Sequence, residues 1–127
     1  FMRTLHELTH EMLVRFTQID YDREMAFIAV TEGGEGEREL GVARYTISPD
    51  GESCEFAIVV ADDWRGLGIG TRLLRALMGA AKARGLRLME GETLSNNTDM
   101  RNLAERMHFT VRTSDADSGI LELRKEL

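Results

Sequence analysis

A strand, a glycine-rich turn and a long helix follow one another between Ser53 and Gly85, and this succession constrains the fold more than any other feature of the sequence. The apolar run SCEFAIVV at Ser53–Val60 has the length and composition of a strand. DDWRGLGIGTRLL, residues 62–74, then places three glycines within five residues. From Ile69 onward apolar residues recur at helical spacing up to Gly85, which suits a left-handed helix cap. A strand joined to a helix in this way predicts backbone N–H groups beside a helix N-terminus, which together form an anion site.

Further elements are predicted on both sides of this unit. Strand-like runs are EMAFIAV (24–30), LGVARYTI (40–47), RLMEGETL (87–94), FTVRT (109–113) and GILELRKEL (119–127). Helical patterns occupy residues 97–107 and, in a short form with Thr9 as N-cap, residues 10–17. SPDG at 48–51 suits a type I turn, so the first three strands form a meander. We therefore expect an α/β domain, a mixed sheet with helices on its faces.

Composition limits the classes of function. At 127 residues the chain is expected to be one domain, residues 1–127. Its single cysteine, Cys54, excludes an internal disulfide. The net charge of −6 argues against a broad nucleic-acid surface, because phosphate binding depends on clustered Lys and Arg, and it is compatible with a basic partner. We found no bilayer-length apolar run and no signal-peptide pattern, so we expect a cytoplasmic protein without membrane binding.

The spacing of the glycines decides between anion sites. A dinucleotide fingerprint, counted from Gly66 and Gly68, needs a third glycine where Thr71 stands, and a Walker loop needs a lysine directly after Gly70. Both interpretations fail. A turn that needs glycine only for its geometry remains as one alternative. The other is Arg65-x-x-Gly68-x-Gly70, which resembles the R/Q-x-x-G-x-G/A signature of the GNAT superfamily of N-acetyltransferases.

The resemblance extends from GVARY to MHF, residues 41–109, and is closest to the acetyltransferase domain of bacterial protein lysine acetyltransferases that also carry an acyl-CoA synthetase-like region. It implies a GNAT-type mixed, mostly antiparallel sheet flanked by helices. In that fold a strand and a helix precede the segment at which this sequence opens with Phe1. We therefore expect either an excised fragment of a larger, multidomain protein or an incomplete copy of the domain, in which the first strand is missing or is supplied by another molecule.

The resemblance also implies roles for particular residues. The pyrophosphate of acetyl-CoA would be held by the turn and the start of the helix: Arg65, Gly66, Leu67, Gly68, Ile69, Gly70 and Thr71. Val59 and Val60 would pair by main chain with the pantetheine arm, as an added strand pairs with a sheet edge. A backbone N–H near the end of this strand would polarise the thioester carbonyl. Asn97 stands where the family commonly has a CoA-contacting asparagine.

Glu55 is the predicted general base, because an acetyl-accepting amine must first lose a proton. It precedes the apolar run FAIVV, where partial burial would tune it for this task, and Glu92 is the reserve. The alternative is a strand glutamate that faces solvent. Many family members have a tyrosine as general acid where this sequence has Ala104, and a glycine where it has His108.

HELTH at residues 6–10 matches the zinc motif H-E-x-x-H, which needs both histidines on one helix face. Because Thr9 is the predicted cap of a helix that starts at His10, His6 would lie outside that helix. We expect both histidines at the surface and no metal.

The function implied is an acetyl-CoA-dependent N-acetyltransferase, with acetyl-CoA as co-substrate, that acetylates a lysine ε-amine of a protein. Two alternatives stay open: transfer to a small-molecule amine, and a CoA-sensing regulatory module that transfers nothing. The environment of Glu55 separates catalysis from binding alone. Burial beside the thioester favours catalysis, and exposure to solvent favours the module that only binds CoA.

Overall fold

The computed structural model describes residues 12–17, 23–31, 38–61 and 68–127, and the structural statements below concern these ranges. They contain the strands β1 (Met12–Thr17), β2 (Glu24–Thr31), β3 (Arg38–Ile47), β4 (Ser53–Val60), β5 (Leu88–Leu94), β6 (Thr110–Thr113) and β7 (Ile120–Glu126). The helices in the same ranges are α1 (Ile69–Ala83) and α2 (Thr98–Arg106). Neither of these helices is long and apolar enough to cross a membrane.

The strands form one sheet in the order β1-β2-β3-β4-β5-β7-β6. Every neighbouring pair is antiparallel except β4 and β5, which run parallel. Antiparallel strands can follow one another through short turns, whereas the parallel pair needs a crossover, which α1 supplies. The expected mixed, mostly antiparallel sheet is therefore confirmed, as is the meander, whose turn is closed by the Gly51 N–H donating to the Ser48 carbonyl over 2.9 Å.

The short helix predicted at residues 10–17 is wrong where the structure describes it, since Met12–Thr17 is a strand. The segment pairs with β2 over its whole length, and Phe16 lies opposite Phe27 with ring centroids 5.9 Å apart. Cross-strand contacts of this kind stabilise a sheet and decide the state of a short apolar segment, whose periodicity alone is ambiguous. Residues 10 and 11, together with the predicted cap Thr9, lie outside the described ranges.

Helix α1 packs one apolar stripe against the sheet, as its spacing predicts, through Ile69, Leu73, Leu74, Leu77 and Ala81. It ends at the predicted glycine: Gly85 has φ 90°, and the Leu86 N–H donates to the Ala81 carbonyl over 3.0 Å. This is the hydrogen bond of a left-handed C-cap.

Helix α2 buries Leu103 and Ala104 in the same core as α1. The core continues through Phe109, whose ring lies 5.4 Å from that of Phe56 on β4. Both helices therefore cover the sheet face to which Cys54 and Phe56 point. The opposite face carries the alternate residues of β4.

Candidate functional site

The sheet opens between β4 and β5. Their paired positions run only from Ser53↔Leu88 to Glu55↔Glu90, although β4 continues to Val60 and β5 to Leu94. Beyond Glu55 and Glu90 the two parallel strands diverge. A gap therefore lies in the middle of the sheet, where β4 directs main-chain groups toward space that no ladder partner on β5 fills.

Alternation along β4 decides which main-chain groups face this gap. The Ala61 N–H donates to the Leu40 carbonyl, and the Ser48 N–H to the Ser53 carbonyl, each over 2.9 Å. In an antiparallel pair hydrogen-bonded positions alternate, so odd-numbered residues of β4 bond to β3 and even-numbered ones face β5. Ile58 and Val60 are thus the residues whose N–H and C=O groups border the gap.

Val59 differs from the expectation that its main chain pairs with pantetheine. Its N–H and C=O groups lie on the β3 side, opposite Val42. Its side chain is 69% exposed and borders the same cavity as Val60. The predicted stretch of strand borders this cavity, but the alternation could be fixed only once the pairing with β3 was known.

The first turn of α1 stands at the end of the gap. Gly68 is the N-cap residue in the left-handed region, at φ 82°, and the helix continues with the Arg72 N–H donating to the Gly68 carbonyl over 3.1 Å. Within the described residues no side chain caps this terminus and no acid lies in its first turn. The N–H groups of Ile69, Gly70 and Thr71 have no partner inside the helix, so the turn can bind an anion.

A cavity of about 620 Å³ joins the gap to this helix terminus. Its described lining comprises the end of β4, the first turn of α1 and one side of α2: Ile58, Val59, Val60, Gly68, Ile69, Gly70, Thr71, Asn97, Asp99, Met100, Asn102, Leu103 and Arg106. All seven predicted donor-site residues within the described ranges, Val59, Val60, Gly68, Ile69, Gly70, Thr71 and Asn97, are among them. The remaining three, Arg65, Gly66 and Leu67, lie outside the described ranges.

Asn97 has a structural task as well as a place in the cavity. It is the N-cap of α2, and its Oδ1 accepts a hydrogen bond from the Met100 N–H over 3.1 Å. An N-cap asparagine satisfies one of the N–H groups that the helix leaves open. The amide nitrogen of Asn97 takes no part in that bond.

Arg106 is a cavity residue that the sequence analysis missed. It lies in the last turn of α2, and its Nη2 donates to Thr71 Oγ1 over 3.4 Å. The two residues are 35 positions apart, so no local pattern could have joined them. The available signal was its helical position, which places it on the face of α2 that carries Asn102 and Leu103.

Glu55 is exposed, so the expected partial burial is wrong for the described structure. The neighbouring Cys54 and Phe56 point to the covered face, and the pleat turns Glu55 to the other one. None of the described elements covers that face at Glu55. By the criterion set from the sequence, this exposure favours donor binding without transfer.

The structure brings Glu55 together with the reserve base. A shallow depression of about 590 Å³ on this face is lined by both Glu55 and Glu92. Glu90 and Glu122 join them there, with Arg112 and Arg124 as counter-charges. The Arg112 Nε lies 3.3 Å from Glu122 Oε1, and an Arg124 Nη1 lies 4.0 Å from Glu90 Oε2. The depression is therefore an acidic surface at the point where β4 and β5 part.

The thiol of Cys54, the single cysteine of the sequence, cannot act as a nucleophile. It is buried, its Sγ lies 3.7 Å from the Leu88 carbonyl oxygen, and burial, with a smaller effect of the Glu90 charge, raises the pKa of the thiol to about 12. Only the thiolate is a strong nucleophile, and almost none is present near neutral pH.

The two departures from the family pattern have different structural meanings. Ala104 has no acidic group and is fully buried in the core, so this position supplies no acid to the cavity. His108 has φ 67°, a conformation that favours glycine and is strained for most other residues. The family's glycine at this position thus has a backbone reason.

Both histidines of the zinc motif HELTH, His6 and His10, lie outside the described ranges. Within those ranges no group of three or more His, Cys, Asp and Glu side chains could hold a metal ion.

Comparison with known proteins gives consistent matches. The model of the acetyltransferase (GNAT) family matches residues 2–109. An acetyltransferase of Pseudomonas aeruginosa is 32% identical over 118 residues, covering 93% of this chain and 63% of the relative. An L-methionine sulfoximine/L-methionine sulfone acetyltransferase of the same species is 39% identical over 57 residues, which are 45% of this chain and 33% of that protein.

The crystal structure of the GNAT domain of S. lividans PAT superposes with a TM-score of 0.74 at 27% identity, covering 88% of this chain and 65% of that one. The chain thus spans less than two thirds of the length of each of these three proteins. The PAT match agrees with the branch that the sequence indicated. Because the family model covers most of the sequence and the fold agrees, this chain belongs to the acetyltransferase (GNAT) family.

Proposed function

We propose that the protein transfers an acetyl group from acetyl-CoA directly to the ε-amine of a lysine in a protein acceptor. The observation that carries the proposal is the gap between β4 and β5. In the described part of the chain it combines a strand edge without a ladder partner and a helix terminus without a side-chain cap through one cavity of about 620 Å³. An elongated donor with an amide-bearing arm and an anionic end fits this combination.

The donor lies along the cavity. The pantetheine arm adds as a strand to the edge formed by Ile58 and Val60, while the side chain of Val59 packs beside it. The pyrophosphate binds the N–H groups of Gly68 to Thr71, with Arg65, Gly66 and Leu67 as further proposed contacts. The amide nitrogen of Asn97 is available to a carbonyl of the same arm.

The acceptor approaches from the other face, through the acidic depression. A lysine carries a positive charge at neutral pH, and a surface with Glu55, Glu90, Glu92 and Glu122 attracts it. The net charge of −6 is compatible with a basic partner, whose positive charge has the same sign as that of the lysine. An acceptor entering here meets the donor's thioester at the parting of β4 and β5.

Glu55 removes the proton from the lysine ammonium, directly or through one water. Transfer through water needs no burial of the carboxylate, which reconciles this role with its exposure. The neutral nitrogen then attacks the thioester carbonyl, whose oxygen accepts a hydrogen bond from the Ile58 or Val60 N–H as charge develops. A C–N bond forms, the nitrogen loses its second proton to solvent, the C–S bond breaks and CoA leaves as a thiolate, so Ala104 in place of an acid is no obstacle.

One observation favours a second candidate, transfer to a small-molecule amine. The relative that acetylates L-methionine sulfoximine and L-methionine sulfone is 39% identical to 45% of this chain. An exposed, open depression also admits a free amino acid. The acceptor, and with it the whole protein's partner, is what the experiment must decide.

The test is to incubate the protein with acetyl-CoA and, in parallel, a lysine peptide with a blocked N-terminus, L-methionine sulfone, or no acceptor, and to weigh the acceptors by mass spectrometry. Acetylation of the peptide is the expected result. Acetylation of the sulfone alone would establish the second candidate. Acetyl-CoA binding without acetylation of any acceptor would favour a CoA-sensing module.

A further inference from the structure

We infer that Arg106 is a phosphate-binding residue, which supplies a cationic side chain for the pyrophosphate of CoA. The inference deepens the proposed function and rests on it. It starts from a contact between two elements: Arg106 Nη2 lies 3.4 Å from Thr71 Oγ1. Thr71 is the third residue of α1, so the guanidinium stands beside the open N–H groups of that helix.

The charge balance of the site calls for such a residue. A helix N-terminus presents about half a positive charge, whereas a pyrophosphate diester carries about two negative ones. Arg65, a proposed contact of the same pyrophosphate, lies outside the described ranges. Among the described residues that line the cavity, Arg106 is the only Lys or Arg, and Asp99 is the only acid. Asp99 lies in the first turn of α2 and Arg106 in its last, about 10 Å apart along the helix axis at the usual rise per residue. The basic end of α2 is thus the end next to α1.

The contact with Thr71 is of a kind that an anion can replace. Arg106 and Thr71 meet at the protein surface. There the neutral Thr71 hydroxyl oxygen accepts a long hydrogen bond of 3.4 Å from the charged guanidinium. A guanidinium forms shorter and stronger bonds to phosphate oxygens, often two at once. When an anion enters, Arg106 and the Thr71 hydroxyl both donate to it, so the pair closes the phosphate end of the cavity.

A structural role for Arg106 is the competing explanation, since a cation at a helix C-terminus interacts favourably with the helix dipole. Arg101 is the matched control. It lies on the same helix, is exposed, pairs with Glu105 at 3.9 Å and does not line the cavity. Arg106→Lys retains the charge at the helix end but cannot form two parallel bonds.

The test measures the dissociation constants of CoA and of 3′-dephospho-CoA by calorimetry for the unaltered protein, Arg106→Gln, Arg106→Lys and Arg101→Gln, with each variant's unfolding midpoint as the control for folding. We expect Arg106→Gln to weaken both ligands by the same factor, about tenfold, which is the usual scale for one charged hydrogen bond. Arg106→Lys should lose less, and Arg101→Gln should bind normally.

Several outcomes would overturn the assignment. A loss that disappears with 3′-dephospho-CoA would place Arg106 at the 3′-phosphate, and an equal loss in Arg101→Gln would make the effect a general one of α2. Normal binding by Arg106→Gln would remove the residue from the site while the proposed function stands. Failure of the unaltered protein to bind CoA at all would instead contradict the proposed function.

Discussion

The ring of Phe56 occupies the space that Gly91 leaves free, one position beyond the last ladder pair of β4 and β5. A Cβ added to Gly91 would lie 2.7 Å from Cε1 of Phe56. The ring continues into the core, where it meets Phe109. This pair of residues therefore marks the point at which the strands part and the candidate donor site begins.

Replacing Gly91 by alanine should force Phe56 to move. We expect Gly91→Ala to lower the free energy of unfolding by about 1–3 kcal/mol, the usual cost of overpacking, and to weaken CoA binding because the gap changes shape. Gly79→Ala is the control: apart from its chain neighbours and the nearby backbone of its own helix, no heavy atom of the described residues lies within 4 Å of the added Cβ, and the helical position should gain about 0.5–1 kcal/mol. Urea unfolding measures the stability of both variants, and equal effects of the two substitutions would contradict the close contact between Phe56 and Gly91.

His108 is expected to be a site where glycine stabilises the protein. Its φ of 67° strains a side-chain-bearing residue by roughly 1–2 kcal/mol, and glycine is free of that strain. His108→Gly should raise the free energy of unfolding by up to about 1 kcal/mol after the entropy of the unfolded glycine is subtracted. Thermal unfolding checks this, with His108→Ala as the comparison that retains the strain. A glycine variant less stable than the alanine variant would argue against it.

Asn97 should show two separable roles. Asn97→Ala removes the cap of α2 and should cost about 1 kcal/mol of stability, whereas Asn97→Ser retains a capping oxygen and should cost little. If the amide nitrogen also contacts CoA, both variants lose affinity to a similar degree. Calorimetric binding alongside urea unfolding distinguishes the roles; serine binding CoA as tightly as asparagine would leave only the cap.

Asp50 should contribute to acid sensitivity. Hydrogen bonds from the Glu52 and Ser53 N–H groups lower the pKa of its carboxyl from 3.8. A lowered folded-state pKa stabilises the protein above the unfolded-state value, and this contribution is lost as the pH falls through the folded one. Asp50→Asn should therefore lower the unfolding midpoint at pH 7 and have progressively less effect below about pH 4. A difference that stays constant down to the acid limit would contradict this linkage.

The sequence predicted the elements whose signals are local. Periodicity and turn residues predict the helix from Ile69 to its glycine cap and the meander, and one signature points to the stretch that lines the cavity. The first strand was predicted as a helix because the apolar and polar residues of so short a segment, Met12–Thr17, fit both the helical and the strand period. Only its pairing with β2 decides between the two structures.

The parts of the site that the sequence did not reveal depend on contacts between distant segments. The bond between Arg106 and Thr71 joins two helices, and the alternation that turns Ile58 rather than Val59 toward the gap depends on the register with β3. The exposure of Glu55 similarly depends on which face the helices cover. An apolar neighbourhood in the sequence, such as FAIVV, does not fix that face.

The most direct test of the account is the initial rate of CoA release from acetyl-CoA with a blocked lysine peptide, compared between the unaltered protein, Glu55→Gln and Glu52→Gln. Glu52 is the matched control, an exposed acid three residues away that pairs with Arg87 at 3.9 Å. We predict peptide-dependent release that falls about 100-fold or more in Glu55→Gln and is unchanged in Glu52→Gln. Release that does not depend on the peptide, or that Glu55→Gln leaves intact, would contradict the account.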